Sequence, residues 1–442
     1  MRNPLISSVA FLLFQLLTAT LFLRPAELFV WMEGMPLYEG LILGTFVLTA
    51  ASVESHFRPR SMVRQPITLC ALGLLVAMVL SHLTHMYLGG VRDSLDQFLR
   101  TLLYYGLVIT IVNSPWRMKA FLANVAVCTS VMVSLCLIDY WQVVDFEFII
   151  PLTDLAGFDD EDQAILFLRM RGTGIFQDPN DLAMVIVAGG VLCLYFLTDK
   201  SLGPFKWCWL LPIVVFAAAI LETKSRGGLL AGVVAVATLG IFRFGPKFAA
   251  VCGVLALCVL PIVAGRSANI DLSDGSTGHE RIEMWREGFV ALKSPDLVFG
   301  IGHNMFSELA GLVAHNSFVH TYVELGIFGG TLFFGCFYLA GVQLYRIGQL
   351  TEPVWHDELL RMRPYLAAVL AGWCMSMFSL SRCYVVPTFL ILGMQAAYLN
   401  LAWIHTPAGR PLMIWNRWQA MQLACVSGLL FVGLFAFTVV FA

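Results

Sequence analysis

The sequence predicts an all-α polytopic integral membrane protein with about twelve or thirteen transmembrane helices, and three observations carry that prediction. The chain is 59% hydrophobic and only 13% charged, with a mean hydropathy of +0.79, whereas a soluble domain is roughly 45–50% apolar and about 25% charged. Uncharged runs such as SSVAFLLFQLLTATLFL and SGLLFVGLFAFTVVFA are long enough to cross a bilayer, which takes about 20 helical residues. These runs lack the period-2 alternation of a barrel strand, so helices are the spanning element.

Spans are expected near Leu5–Leu23, Leu37–Val53, Ile67–Met86, Phe98–Val112, Phe121–Val144, Leu182–Leu197, Trp207–Leu221, Leu229–Phe242, Phe248–Ala264, Val319–Leu344, Tyr365–Leu380, Tyr384–Ile404 and Met421–Phe441. Phe98–Val112 is short, and the count falls to twelve without it. The first run follows one arginine, Arg2, and carries no small-residue cleavage site, so it is expected to stay as a helix rather than leave as a signal peptide.

Lys and Arg in the connections set the orientation. With the N-terminus inside, the inner connections hold Arg58, Arg60, Arg64, Arg117, Lys119, Lys206, Arg243, Lys247, Arg361, Arg363 and further basic residues. Of the 29 acidic residues, only Glu54, Asp199, Glu352, Asp357 and Glu358 fall on that side. The net charge of −2 therefore conceals a strong asymmetry, as expected of a multi-pass protein of the bacterial inner (cytoplasmic) membrane.

Nearly all of the eleven cysteines lie within apolar runs, where a free thiol behaves as a small hydrophobe. There is no CxxC pair, and neither disulfides nor a metal site is expected. His315 and His320 are five apart and fall on different helix faces, unlike an i, i+4 metal pair. His82 and His85 share a face, which reads as a chance pair at a helix end.

One membrane domain over residues 1–442 is expected to carry two long extracytoplasmic loops, 145–181 and 265–318, and function is expected in these loops and the helix ends they cover. The outer face carries arginines in three short stretches. RMRGTG holds Arg169 and Arg171, TKSRGG holds Lys224 and Arg226, and GHERIEMWREGF holds Arg281 and Arg286. TKSRGG joins two spans directly, so its cations have little room to leave the interface. They can snorkel or pair with Glu222, or they can form an anion site, since the guanidinium fork grips phosphate in two-pronged fashion and the following glycines admit backbone N–H groups. The acidic run Asp159–Asp162 reads as a solvated loop.

The second loop contains a short amphipathic helix near 279–293. Ser276 or Thr277 can cap it, with Glu280 reaching back. Arg281, Trp285 and Phe289 share one face at helical spacing, which reads as a lid lying on the membrane. In AHNSFVHTYVELGIFGG, Asn316 or Ser317 is a natural N-cap, which leaves His315 at the positive end of an entering helix. That field favours neutral imidazole, the form a general base needs. Gly326, Gly329 and Gly330 are expected to bare one helix side for close packing.

With these residues in place, the chain resembles the O-antigen ligase family, which shares its fold and motifs with O-antigen polymerases and protein O-oligosaccharyltransferases. The family hallmark H-[NSQ]-x9-G-x-x-[GTY] is met by His315, Asn316, Gly326 and Gly329. Arg171–Gly174 with Pro179-Asn180 matches an RxxG…NPN-like stretch. Thr223, Ser225, Arg226 and Gly227 match T-x-SRG, and Arg281 with Trp285 matches R-x3-W, followed by a Gly300-x-Gly302 turn. The resemblance covers roughly Arg171 to Gly330.

It implies a metal-independent glycan transferase without cofactor, acting at the periplasmic face, and direct displacement from an α-linked diphosphate would make it inverting. The implied donor is an undecaprenyl-diphosphate-linked glycan and the acceptor a hydroxyl of lipid A–core or another glycan. His315 would activate the acceptor, and Arg171, Arg226 and Arg281 would hold the diphosphate. Asn316, Lys224, Trp285, Asn180, Gly326 and Gly329 would support them. No nucleic-acid partner is expected. A polymerase on the same scaffold differs only in its acceptor. A protein O-transferase is not expected, since the chain ends at Ala442 just after a span. A flippase without chemistry would place polar gaps along several mid-membrane helices rather than at one face.

Overall fold

The computed structural model describes residues 4–158, 164–248, 250–251, 253–254, 277–293, 295–350, 354–406 and 411–441. Most of the expected span Phe248–Ala264, the acidic run Asp159–Asp162, Ser276 and the Thr277 side chain lie outside them.

Proline opens several of the long helices, where its missing N–H costs nothing. In chain order the longer helices among the described residues are α1 Pro4–Leu23, α2 Leu37–His56, α3 Pro66–Leu83, α4 Leu88–Ile111, α5 Pro115–Tyr140, α6 Pro179–Leu197, α7 Leu210–Glu222, α8 Arg226–Phe244, α9 Thr277–Ala291, α10 Ser317–Ile347, α11 Asp357–Ser376, α12 Val386–Ile404 and α13 Arg417–Phe441. Among the described residues, ten helices are long and apolar enough to cross a membrane. The other two expected spans are helical as well. Phe98–Val112 forms the C-terminal part of α4, whose first turns carry Arg92, Asp93 and Asp96. Tyr365–Leu380 largely coincides with α11, which opens on Asp357 and Glu358. The protein is thus an all-α multi-pass membrane protein.

One departure lies in the first long loop. There β1 (Leu152–Phe158) and β2 (Ala164–Arg169) pair antiparallel, with Leu152 opposite Arg169. A lone hairpin is marginal in water. Here Met170 N–H donates to the Glu222 carbonyl and Arg169 Nε to the Thr223 carbonyl, both at 3.0 Å, which fastens the strand end to the α7–α8 turn.

The chain divides into two compact units. The first comprises Met1–Leu48, Trp116–Ala268 and Arg361–Ser376. Its α6 is the most enclosed helix. Gly228 of α8 abuts Ala183, and Gly372 of α11 abuts Val187 and Ala235. At its basic end, Asp199 pairs with Lys119 at 2.5 Å and Arg361 at 3.0 Å. Burial alone would raise the Asp199 carboxyl, but Lys119, Ser201 and Arg361 hold it below the usual carboxylate range.

The second unit comprises Thr49–Pro115, Asn269–Leu360 and Met377–Ala442. Here α3, α4, α10 and α12 form the core around Tyr104, Tyr105, Tyr322 and Tyr398, all fully buried. Some buried hydroxyls are satisfied across helices, as between Thr68 and Tyr105 at 2.8 Å and Tyr322 and Ser427 at 2.6 Å.

Candidate functional site

In the first unit the TKSRGG turn is built as a rigid corner. Lys224 takes a left-handed φ of 52°, and Ser225 caps α8 by accepting from Gly228 N–H at 3.0 Å. The Ser225 hydroxyl donates to Asn180 Oδ1 at 2.6 Å. That same oxygen accepts from Arg169 Nη2 at 3.3 Å, and Arg169 Nη1 reaches Asp154 at 3.1 Å. Asn180 itself sits in the first turn of α6 behind an Asp178 cap. Arg169 therefore serves as a cross-brace between hairpin, turn and helix. Arg226 and Lys224 present exposed side chains from this corner. Arg171 is half-buried and donates to the Ile150 carbonyl. The structure thus places Lys224 and Arg226 on one turn that Asn180 of α6 and Arg169 brace, with Arg171 two residues beyond Arg169.

In the second unit Asn316 caps α10, its Oδ1 accepting from Phe318 and Val319 N–H at 3.0 and 3.2 Å. His315, directly before it, is half-buried with φ 48°, a conformation that costs a β-carbon residue roughly 1–2 kcal/mol. The loop helix α9 reaches this point. Trp285 Nε1 donates to the Ala314 carbonyl at 2.5 Å, so the residue before His315 is fastened to the helix that carries Arg281 one turn earlier. The expected membrane-resting face of α9 is covered instead. Phe289 is buried, with its ring 5.5 Å from Phe431 and 5.9 Å from Phe435 of α13, and Trp285 lies 6.2 Å from Phe437. The apolar stripe that reads as a membrane anchor is satisfied by the last helix.

Gly326 does more than allow close packing. Its φ of 64° breaks α10, and a Cβ there would collide with the Val298 carbonyl. The break frees two carbonyls, which the Gly300–Gly302 turn takes up: Ile301 N–H donates to Val323 and Gly302 N–H to Glu324, both at 3.1 Å. Gly300 and Gly302 have φ of 80° and 118°, which glycine alone adopts without strain. Gly329 does contribute to packing, against Ala77 of α3. The two glycine motifs, far apart in sequence, therefore form one backbone joint.

Beneath this joint lies a polar cluster that sequence reasoning missed. Glu324, 0% exposed, pairs through Oε1 with His320 Nε2 at 3.0 Å and accepts from Phe306 N–H at 3.1 Å. His320 Nδ1 meets Ser381 Oγ at 3.1 Å, and its ring stacks on Phe306. His303, 3% exposed, meets Ser94 Oγ through Nδ1 at 2.9 Å. Burial pushes the His303 imidazole down to about 4, so it is neutral at physiological pH. A cavity of about 270 Å³ opens beside these residues, lined by Gln97, Phe98, His303, Asn304, Val313, His320 and the Ser381–Val385 segment. One signal was available: His320 and Glu324 stand at i, i+4, and an acid inside an apolar run marks a functional residue.

Residues 211–334 match the O-antigen ligase family (Wzy_C). No curated protein matches the chain. The matched stretch contains the Ser225–Arg226 turn, the α9 helix, the Gly300–Gly302 turn and α10 through Gly329.

Proposed function

On the premise that this chain belongs to the O-antigen ligase family, we propose that it is an inverting glycan transferase that moves an undecaprenyl-diphosphate-linked glycan onto an acceptor hydroxyl, of lipid A–core or another surface glycan, at the periplasmic face of the inner membrane. The family supports a membrane glycan-processing role and lipid-linked glycan and glycan acceptor substrates in general. The observation that carries the finer reading is the junction at Ala314, where Trp285 of the R-x3-W helix holds the residue preceding the motif histidine.

In this reading His315 takes the proton of the acceptor hydroxyl as its oxygen attacks the anomeric carbon. The bond from that carbon to the diphosphate oxygen breaks, and the configuration inverts. Negative charge gathers on the departing lipid diphosphate. Arg171, Arg226 and Arg281 are proposed as its ligands, because fixed guanidinium groups stabilise such charge without rearranging. Asn316, Asn180 and Lys224 support the backbone and charge around these groups. The helix-end location of the polar residues also supports transfer chemistry over passage of a glycan through the bundle.

The test is gene deletion followed by gel analysis of surface glycans, together with transfer by purified protein. Loss of the whole glycan ladder from the lipid core is expected. A single-repeat band would assign a polymerase instead, and unchanged glycans with no transfer in vitro would overturn the reading. Arg226→Ala is expected to weaken donor binding roughly ten- to a hundredfold, with only partial rescue by Arg226→Lys, since ammonium retains the charge without the two-pronged geometry.

A further inference from the structure

We propose that the cavity beside His303 and His320 is a binding site for one pyranose ring of the glycan substrate, formed by side chains other than His315 and the diphosphate-binding arginines. This rests on the glycan-transfer reading above for the identity of the ligand, but on the cavity's own chemistry for its class.

Size is the first argument. Sites for drug-sized ligands run about 300–1,000 Å³, so a cavity of about 270 Å³ accommodates a single ring rather than an oligosaccharide. Its lining is graded from an exposed amide rim to a buried floor. Gln97 and Asn304 are exposed, and Asn304 Nδ2 donates to Gln97 Oε1 at 2.9 Å. His303, Phe98 and Cys383 are buried. Phe98, Val313 and Val385 supply an apolar strip for the C–H face of a sugar, and the remaining lining is polar.

The second argument is unmet hydrogen bonding. His303 Nε2 is buried and has no partner among the described residues, although its other nitrogen is engaged by Ser94. Glu324 Oε2, in the carboxylate behind His320, likewise has no partner. The Tyr384 hydroxyl stands near Glu324 without a partner at hydrogen-bonding geometry. Unmet buried polar atoms cost stability, so each calls for an explanation. A ligand carrying hydroxyl groups offers His303 the partner it lacks, because a hydroxyl both donates and accepts. Charges of both signs stand at this wall. Arg382 lies in the lining, but the buried Glu324 carboxylate backs the same wall through His320.

The test titrates the purified full chain in lipid nanodiscs with methyl glycosides of glucose, galactose, N-acetylglucosamine and rhamnose, read by saturation-transfer NMR. At least one glycoside is expected to bind. His303→Gln should abolish that signal, and Tyr384→Phe should weaken it roughly three- to tenfold, the range for one lost neutral hydrogen bond. Tyr384→Phe keeps the buried ring and removes only the hydroxyl near Glu324, so it is the milder variant; it decides the matter if His303→Gln does not fold. Binding of none of the glycosides, or binding that folded pocket variants leave unchanged, overturns the site. Pocket-dependent binding in a protein that never transfers glycan would uphold the site and sink the transfer reading. Transfer without pocket-dependent binding does the reverse.

Discussion

His320 Nε2 lies 3.0 Å from Glu324 Oε1, one helical turn apart, and Glu324 has no solvent exposure. Breaking a buried pair by removing one partner typically costs about 3–5 kcal/mol, because the other charge or dipole is stranded. Glu324→Ala is therefore expected to lower the melting temperature of the purified protein sharply. Glu324→Gln retains an acceptor for Phe306 N–H and should cost less. Equal melting of Glu324→Ala and the parent protein would refute the pairing as a stabilising contact.

The joint at Gly326 makes a second, sharper contrast. Gly326→Ala places a Cβ against the Val298 carbonyl and forces alanine to a φ of 64°, so it should prevent normal accumulation of folded protein. Gly341, farther along the same helix, has nothing within 4 Å of an added Cβ. Gly341→Ala should be neutral or stabilise by up to about 1 kcal/mol from helix propensity alone. Size-exclusion profiles of the two variants, tagged with a fluorescent protein, check the difference.

His315 allows activity and stability to be separated. Its left-handed φ of 48° suits glycine or asparagine better than histidine. His315→Gly is expected to keep or slightly raise the melting temperature while removing glycan transfer. If transfer persists at parental rates, the imidazole is not the base. If the protein unfolds, its backbone role has been misread.

Much of this arrangement was legible in the residues, for identifiable reasons. The Asn316 cap could be read because capping chemistry is local, and the α9 helix because its charge and aromatic spacing is periodic. Gly326 illustrates what could not be read. A glycine in an apolar helix fits close packing and a helix break equally well, and Gly326 serves both, since its φ of 64° breaks α10 where the Val298 carbonyl presses on it. The face of α9 went the same way. Trp285 and Phe289 form an apolar stripe whether lipid or α13 covers it, and α13 lies more than a hundred residues downstream. His303 was unreadable for a similar reason, since its partners Ser94 and Ser81 come from distant helices. The hairpin was hidden because its pairing register depends on a long-range fastening to Glu222 and Thr223.

The neutral His303 predicts a pH dependence whose sign can be worked out. Burial lowers its imidazole from the ordinary 6.5 to about 4, opposed by Glu324 and reinforced by His82 and His320. Above pH 6.5 the residue is neutral in both folded and unfolded chains and contributes no pH dependence. As pH falls below 6.5 the unfolded chain takes the proton first, so folded stability drops until the folded imidazole also protonates near pH 4. Across that window the slope from this one group is at most about 1.4 kcal/mol per pH unit. Melting curves of the parent protein and His303→Gln between pH 7.5 and 4.5 isolate the effect, because every other titrating group is common to both. The parent should lose stability faster than the variant on acidification and match its slope above pH 7. Parallel curves through the acidic range would show that His303 is not held neutral by burial.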